Sequence, residues 1–286
     1  MKTRKDTAAS IRQRLYNLSK QQNIDLDAVL LRFAVERVLA RISQSSYANR
    51  FVLKGAMLFA LWADHPHRAT RDMDLLGFDV QDAEQIKAIF QDLLTQPQPA
   101  DDGLIFHTNT IAVAPIRALD EYGGLKVTFR ATLAGARIGV LIDIGIGDVV
   151  SPAPETVDFP NLLPDFPPPR IRAYPVYTAF AEKFEAIIRL GDANTRMKDF
   201  FDLWYMVAKF DLDPAKLRTA IHATFEQRGT VLPPDLSATA LRPEFASIKG
   251  TTWTQFLNRN RLPEPAGSFD QLLEMLRTKL TGWLSA

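Results

Sequence analysis

The chain has 286 residues, with 34 Lys and Arg against 33 Asp and Glu, 47% apolar residues and 23% charged ones. That balance is ordinary for a globular protein, and the length is enough to bury roughly 75% of the unfolded surface in one large or two modest cores, so dominant disorder is excluded. The absence of cysteine removes disulfides, iron–sulfur clusters and thiolate zinc, and a net charge of +1 disfavours a DNA coat or a polybasic membrane binder while leaving room for a local basic groove.

The first fifty residues read as helical. Leu26, Val29, Leu30, Phe33 and Ala34 repeat at i, i+3, i+4, and Val38 and Ile42 extend the stripe. Charges stand at the N-terminus where a secretory leader needs its apolar stretch, and no run of about 18 apolar residues occurs anywhere. A soluble, cytoplasmic protein without a membrane span is the expectation. Residues 51–54 suggest a short strand ended by Gly55, 56–63 a short helix, 70–76 a second strand and 83–94 another helix.

From Leu104 to Ile146 the period changes to two. Leu125, Val127 and Phe129 alternate with polar residues, as do Ile138, Val140, Ile142 and Ile144 with their neighbours. With Ala134-Gly135 as the turn, Val127 faces Ile142 and Phe129 faces Val140 on the core side, while Lys126 faces Asp143 and Arg130 faces Gly139 on the other. Residues 151–170 then hold seven of the 18 prolines. Proline lacks a backbone donor and restricts its predecessor, so neither a helix nor a central strand is expected there. The remainder reads as helical: 181–190 stops at Gly191, 195–210 buries Phe200, Leu203, Trp204 and Val207, and Ser268 with Gln271 makes a capping-box pattern. The organisation expected is an α/β region over 1–150, a proline-rich linker over 151–170 and a helical domain over 171–286.

Asp72 and Asp74 are the sharpest local feature. On a strand, residues i and i+2 share a face, so their carboxylates enter one space and repel unless a cation lies between them. Hard oxygen ligands without sulfur or imidazole suit Mg²⁺, with Mn²⁺ the alternative. The competing reading is a solvated strand end carrying two acids. Three features weigh against it. Lys54-Gly55-Ala56 sits between strand and helix, where small residues let backbone N–H groups approach an anion such as a triphosphate. Asp143 lies inside an apolar strand and shares a face with Lys126. Lys183, Arg189, Arg196, Lys198, Asp199 and Asp202 form a charged helical stripe that is either a solvated face or a basic wall for phosphates. Converging acids, a glycine turn and a basic wall make a phosphoryl-transfer site.

Together these segments resemble the AbiEii/AbiGii toxin family of nucleotidyltransferases, within the DNA polymerase β-like superfamily. The likeness runs through Ser10–Leu15, Glu36-Arg37, Phe51–Phe59, Arg68–Leu76, Tyr122–Arg130, Ile142–Asp148, Ala181–Ala186 and Asn194–Leu203. It implies an α+β fold: a nucleotidyltransferase-like mixed sheet with flanking helices, followed by a helical C-terminal domain. Gly55-Ala56 with Asp72 and Asp74 matches the family's first motif, although many members carry Gly-Ser or Gly-Gly, so Ala56 lacks a hydroxyl and only its backbone contact carries over. Lys126 matches its lysine motif, Asp143 with Pro152 its apolar-Asp-apolar motif, and Lys183, Arg196, Lys198 and Asp199 its helical motif.

The resemblance implies a metal-dependent toxin of a toxin–antitoxin or abortive-infection system that moves NMP from NTP to an RNA 3′ end, tRNA above all, with a winged-helix antitoxin as partner. On that reading Asp72, Asp74 and Asp143 are catalytic metal ligands and Lys126 is catalytic. Lys54, Gly55, Ala56, Lys183, Arg196, Lys198 and Asp199 bind nucleotide, Asp202 assists, and Arg68 and Arg71 hold the acceptor or balance the acids. Two rivals remain: a kinase-like phosphotransferase on the same scaffold, although Walker A and protein-kinase loop patterns are missing, and a non-catalytic nucleotide or RNA-binding module. Arg12, Arg14, Arg32, Arg37 and Arg41 make either a basic surface for tRNA or a solvated helix face. His65 and His67 read as a loop, Trp62 and Trp204 as apolar-face residues, and Gly145 and Gly147 as a strand end and no dinucleotide fingerprint.

Overall fold

A computed structural model of the chain describes residues 4–63, 70, 72–80, 82–98, 100–116, 123–262, 265 and 267–285. They form two compact units: residues 1–147 with 155–173, and residues 148–154 with 174–286.

The first unit opens with helices α1 (Arg4–Gln21) and α2 (Leu26–Ser43). The Asp25 carboxylate caps α2 by accepting the N–H groups of Asp27 and Ala28. Of the apolar stripe read from the sequence, Val29, Leu30, Phe33, Ala34, Val38 and Ile42 are buried, and Leu26 in the first turn is half-buried. Among the described residues seven strands follow: β1 (Phe51–Lys54), β2 (Met73–Gly77), β3 (Leu104–Pro115), β4 (Gly124–Leu133), β5 (Ala136–Ile146), β6 (Glu155–Asp158) and β7 (Arg170–Ala173). Their order across one mixed sheet is β3-β4-β5-β2-β1-β7-β6. Between β1 and β2 lie a 3₁₀ turn (Gly55–Leu58) and the four-residue helix α3 (Phe59–Trp62), and α4 (Ala83–Thr95) precedes β3. Ile86, Ile89, Phe90, Leu93 and Leu94 give α4 one buried face.

The β4–β5 hairpin has the expected register, with Lys126 opposite Asp143, Val127 opposite Ile142 and Phe129 opposite Val140. The proline-rich stretch has no helix, as expected, and carries two short strands that its composition does not show. Residues 155–158 and 170–173 pair antiparallel as β6 and β7, and β7 pairs parallel with β1. No proline lies within either strand, so both keep their backbone donors, and β6 is the outermost strand of the sheet.

The arginines of α1 and α2 do not make a common basic surface. Arg37 and Arg41 are only 3% and 5% exposed. Arg41 pairs with buried Asp102 at 2.8 Å and lies 4.7 Å over Phe106, while Arg37 stacks 4.6 Å over Phe166 and donates to Asn161. Arg32 pairs with fully buried Glu36, which also accepts the Leu162 N–H. Arg12 donates to the Ala134 carbonyl and Arg14 binds Asp165. A residue-type count cannot distinguish these internal partners from solvent.

The second unit contains α5 (Val176–Leu190), α6 (Met197–Lys209), α7 (Pro214–Gln227), α8 (Pro243–Asn260) and α9 (Phe269–Ser285). Gly191, at φ +49°, caps α5. The core is aromatic: Phe200 stacks on Phe245 at 5.5 Å and Trp253 on Phe269 at 4.6 Å. In α6, Phe200 and Leu203 are buried as expected, but Trp204 and Val207 are only half-buried, because the inward face turns toward Phe201, Asp202 and Met206 instead. Half of the capping box forms at α9, where the Gln271 side chain accepts the Ser268 N–H at 3.0 Å. Among the described residues no helix is long and apolar enough to cross a membrane.

Candidate active site

Register builds the site. Lys54 stands opposite Asp74 in the antiparallel β1–β2 pair, Asp74 is level with Asp143 in the parallel β2–β5 pair, and Asp143 stands opposite Lys126 in β4–β5. Directly paired residues on adjacent strands share a face, so one row across four strands reads Lys, Asp, Asp, Lys. Asp72, just ahead of β2, joins it: carboxylate oxygens of Asp72, Asp74 and Asp143 lie within 4.8 Å of one another, and all three residues are half-buried.

The surroundings hold these acids in place. Thr70 Oγ1 donates to Asp72 Oδ1 at 2.6 Å. Lys126 Nζ is 3.3 Å from Asp143 Oδ1. That is ion-pair distance without hydrogen-bond alignment, and among the described residues this buried oxygen has no hydrogen-bond partner. Gly55 has φ +70°, and a Cβ built there would fall 1.9 Å from Asp74 Oδ2. Three hard oxygen donors, one of them with an unsatisfied oxygen, and a backbone cradle that only glycine leaves open fit a divalent cation. The helix after Gly55 is a 3₁₀ turn followed by four α-helical residues, too short for a strong helix-terminus contribution. The contact seen at Gly55 is therefore its close approach to Asp74.

The residues of the helical motif gather in the second unit. Asp199 and Asp202 are fully buried. Lys183 Nζ lies 2.6 Å from Asp202 and 3.4 Å from Asp199, and Arg196 Nε is 2.7 Å from Asp199. Lys198 is half-buried. The acids of this stripe thus point inward to Lys183 and are not part of a solvated helix face. Arg189 pairs with Glu185 at 3.0 Å. Arg68, Arg71, Tyr122, His65 and His67 lie outside the described residues.

The match to the family model decides the relationship: the model for the nucleotidyl transferase AbiEii toxin of type IV toxin–antitoxin systems aligns with residues 37–275. The chain belongs to the AbiEii family. This AbiEii-family chain also shares its fold with JHP933 from Helicobacter pylori, at 11% identity and a TM-score of 0.52, covering 90% of this chain and 93% of that one. A second H. pylori protein, named as a candidate nucleotidyltransferase, aligns at 11% identity with a TM-score of 0.54, covering 92% and 98%. No curated protein matches. The AbiEii-family chain is a nucleotidyltransferase, with the mixed sheet, flanking helices and C-terminal helices expected from the sequence. Membership implies a nucleotide substrate and an antitoxin partner.

Sequence reasoning missed two features. Thr70 carries a weak signal, a hydroxyl two residues before an acid, which is a common local hydrogen-bonding spacing. Thr70→Val should lower nucleotidyl transfer about tenfold at limiting metal, with much of the loss recovered at high metal, because support of a ligand mainly sets metal affinity. Unchanged metal dependence would remove Thr70 from the site. The other is Arg228, which reaches Asp148, Glu182 and Glu185 at 3.0, 3.0 and 2.9 Å. Nothing in the local sequence around Arg228 announces those partners.

Proposed function

We propose that this protein transfers a nucleoside monophosphate from an NTP to the 3′ end of an RNA, tRNA above all, with Mg²⁺ as the resident metal. The meeting of Asp72, Asp74 and Asp143 on one sheet face carries the reading. Bound there, the metal would supply charge neutralisation at the triphosphate and a lowered pKa for the attacking hydroxyl. Asp72 and Asp74 hold it, and Mn²⁺ suits the same oxygens.

Asp143 faces the acceptor and takes the proton from its 3′-hydroxyl as that oxygen bonds to the α-phosphorus. The bond from the α-phosphorus to the bridging oxygen breaks, and pyrophosphate leaves. Lys54 and Lys126 neutralise charge on the phosphates, and the Gly55-Ala56 backbone lies beside them. The family's helical motif assigns Lys183, Arg196 and Lys198 to nucleotide binding, and Asp199 and Asp202 fix Lys183 and Arg196. Alignment and charge stabilisation account for most of the acceleration. The setting is the cytoplasm, as the toxin of a pair whose antitoxin carries a winged helix.

The test uses purified protein, total RNA, Mg²⁺ and NTPs labelled at the α or the γ position, with Asp74→Asn as the blank. Label from the α position should enter RNA and map to 3′ ends on sequencing. Transfer of γ-label to protein would replace this reading with a phosphotransferase. Tight NTP binding without transfer to any RNA would leave a binding module.

A further inference from the structure

The row across β1, β2, β5 and β4 places a lysine at each end of an aspartate pair: Lys54, Asp74, Asp143, Lys126. Asp74 and Asp143 occupy neighbouring parallel strands, about 4.8 Å apart in the hydrogen-bonding direction, so their charges repel strongly when uncompensated. The flanking cations oppose this: Lys126 already lies 3.3 Å from Asp143, and Lys54 is directly across from Asp74. Among the described residues, two lysines share this sheet row with Asp74 and Asp143, and Asp72 adds a third carboxylate beside them.

We propose that Lys54 and Lys126 are resident counter-ions that keep the carboxylate row weak for metal alone and make metal and triphosphate load together. The inference rests on the nucleotidyltransferase reading above and adds an order of loading to it. A bare divalent cation must compete with Lys126, which already lies 3.3 Å from Asp143, and with the charge of Lys54 at the register position opposite Asp74. A triphosphate offers those lysines new anions, freeing the carboxylates for the metal that the triphosphate also binds. Each ligand therefore strengthens the other, and by linkage the enhancement is equal in both directions.

The geometry favours such an exchange. The Lys126 and Asp143 side chains are 39% and 24% exposed, so the ammonium has room to swing and the pair is worth little in isolation. The contact lacks hydrogen-bond alignment and leaves the buried Asp143 Oδ1 without a donor among the described residues. A lysine serving only as a structural partner would be expected to satisfy that oxygen. Lysine suits the role better than arginine, being a compact charge on a flexible stem with no fixed bidentate fork.

The experiment measures Mn²⁺ binding by the magnetic-resonance signal of the free ion, with and without a non-reacting α,β-methylene NTP. It compares wild type, Lys54→Met, Lys126→Met, the double variant and Asp74→Asn. Each lysine removed should tighten Mn²⁺ binding in the absence of nucleotide by about three- to tenfold, because attraction to the acids is no longer opposed. The same substitutions should weaken nucleotide binding and shrink the mutual enhancement seen in wild type. A side chain needed only for folding would weaken both ligands together. Far-UV circular dichroism and a thermal midpoint check each variant, and Lys54→Gln or Lys126→Gln replaces any that does not fold.

Wild type that binds Mn²⁺, with lysine variants that bind it equally or less well, overturns the counter-ion role and leaves the nucleotidyltransferase reading intact. Wild type that binds no Mn²⁺ even with nucleotide, and so matches Asp74→Asn, overturns both.

Discussion

Gly55→Ala should reduce nucleotide transfer by about a hundred- to a thousandfold, since misplacing a reacting constellation by roughly 1 Å already costs about a hundredfold. The added methyl group would meet Asp74 at three atoms, with Oδ2 at 1.9 Å, Cγ at 2.6 Å and Cβ at 2.8 Å. Rotating the carboxylate away relieves the first two contacts and leaves the Cβ contact, so the strand or the turn must also shift. Either movement separates Asp74 from Asp72 and Asp143. Alanine at φ +70° adds a backbone penalty of about 1–2 kcal/mol.

Gly135→Ala separates the two effects. Gly135 has φ +82°, but a Cβ there meets nothing within 4 Å. That variant should lose only the backbone contribution of about 1–2 kcal/mol and keep its transfer rate. Label incorporation and thermal midpoints on the two proteins make the comparison. Full activity in Gly55→Ala would mean that the position of Asp74 against the turn is irrelevant to the reaction.

The second large effect is on stability. Arg228→Met should cost about 3–5 kcal/mol, the usual result of removing one partner from a buried ion network. The guanidinium bridges Asp148, Glu182 and Glu185, and Glu185 is fully buried. Burial alone lowers the pKa of Arg228, but Glu182, Asp148 and Glu185 outweigh it and hold the group above its ordinary value. Without Arg228, Glu185 keeps Arg189 at 3.0 Å and the Thr230 hydroxyl at 2.6 Å, while the shared cation is lost.

Arg228→Lys should rescue only part of the loss, because one ammonium cannot reproduce a planar fork aimed at three carboxylates. Denaturant unfolding monitored by the tryptophans of the helical unit, with Arg228→Met/Glu185→Gln as the compensating double variant, measures this. A single-variant loss below about 0.5 kcal/mol, ordinary for a surface substitution, would show the network to be energetically idle.

Much of the fold was legible because its signals are local. The stripe on α2, the period-two strands β4 and β5 and the glycine stop after α5 each repeat within a few residues, and all three appear in the structure. One long-range feature was also readable: the turn at Ala134-Gly135 sets the hairpin register, which puts Lys126 opposite Asp143. In the proline-rich stretch the prolines exclude a helix, but they lie outside the four-residue strands β6 and β7, so they carry no signal of the pairing those strands make. The arginines of α2 misled because charge looks solvent-facing until a buried carboxylate and aromatic rings are seen around it.

By itself the sequence determined the types of its longer elements, the pairing of β4 with β5, the supply of three carboxylates near glycine and lysine, and membership of the AbiEii family. Only the tertiary structure decided that β2 lies parallel to β5, level at Asp74 and Asp143, and that Asp74 rests against Gly55. Parallel pairing joins segments far apart in the chain and leaves no turn chemistry to read. A contact between a carboxylate and a glycine Cα exists only once both strands are in place.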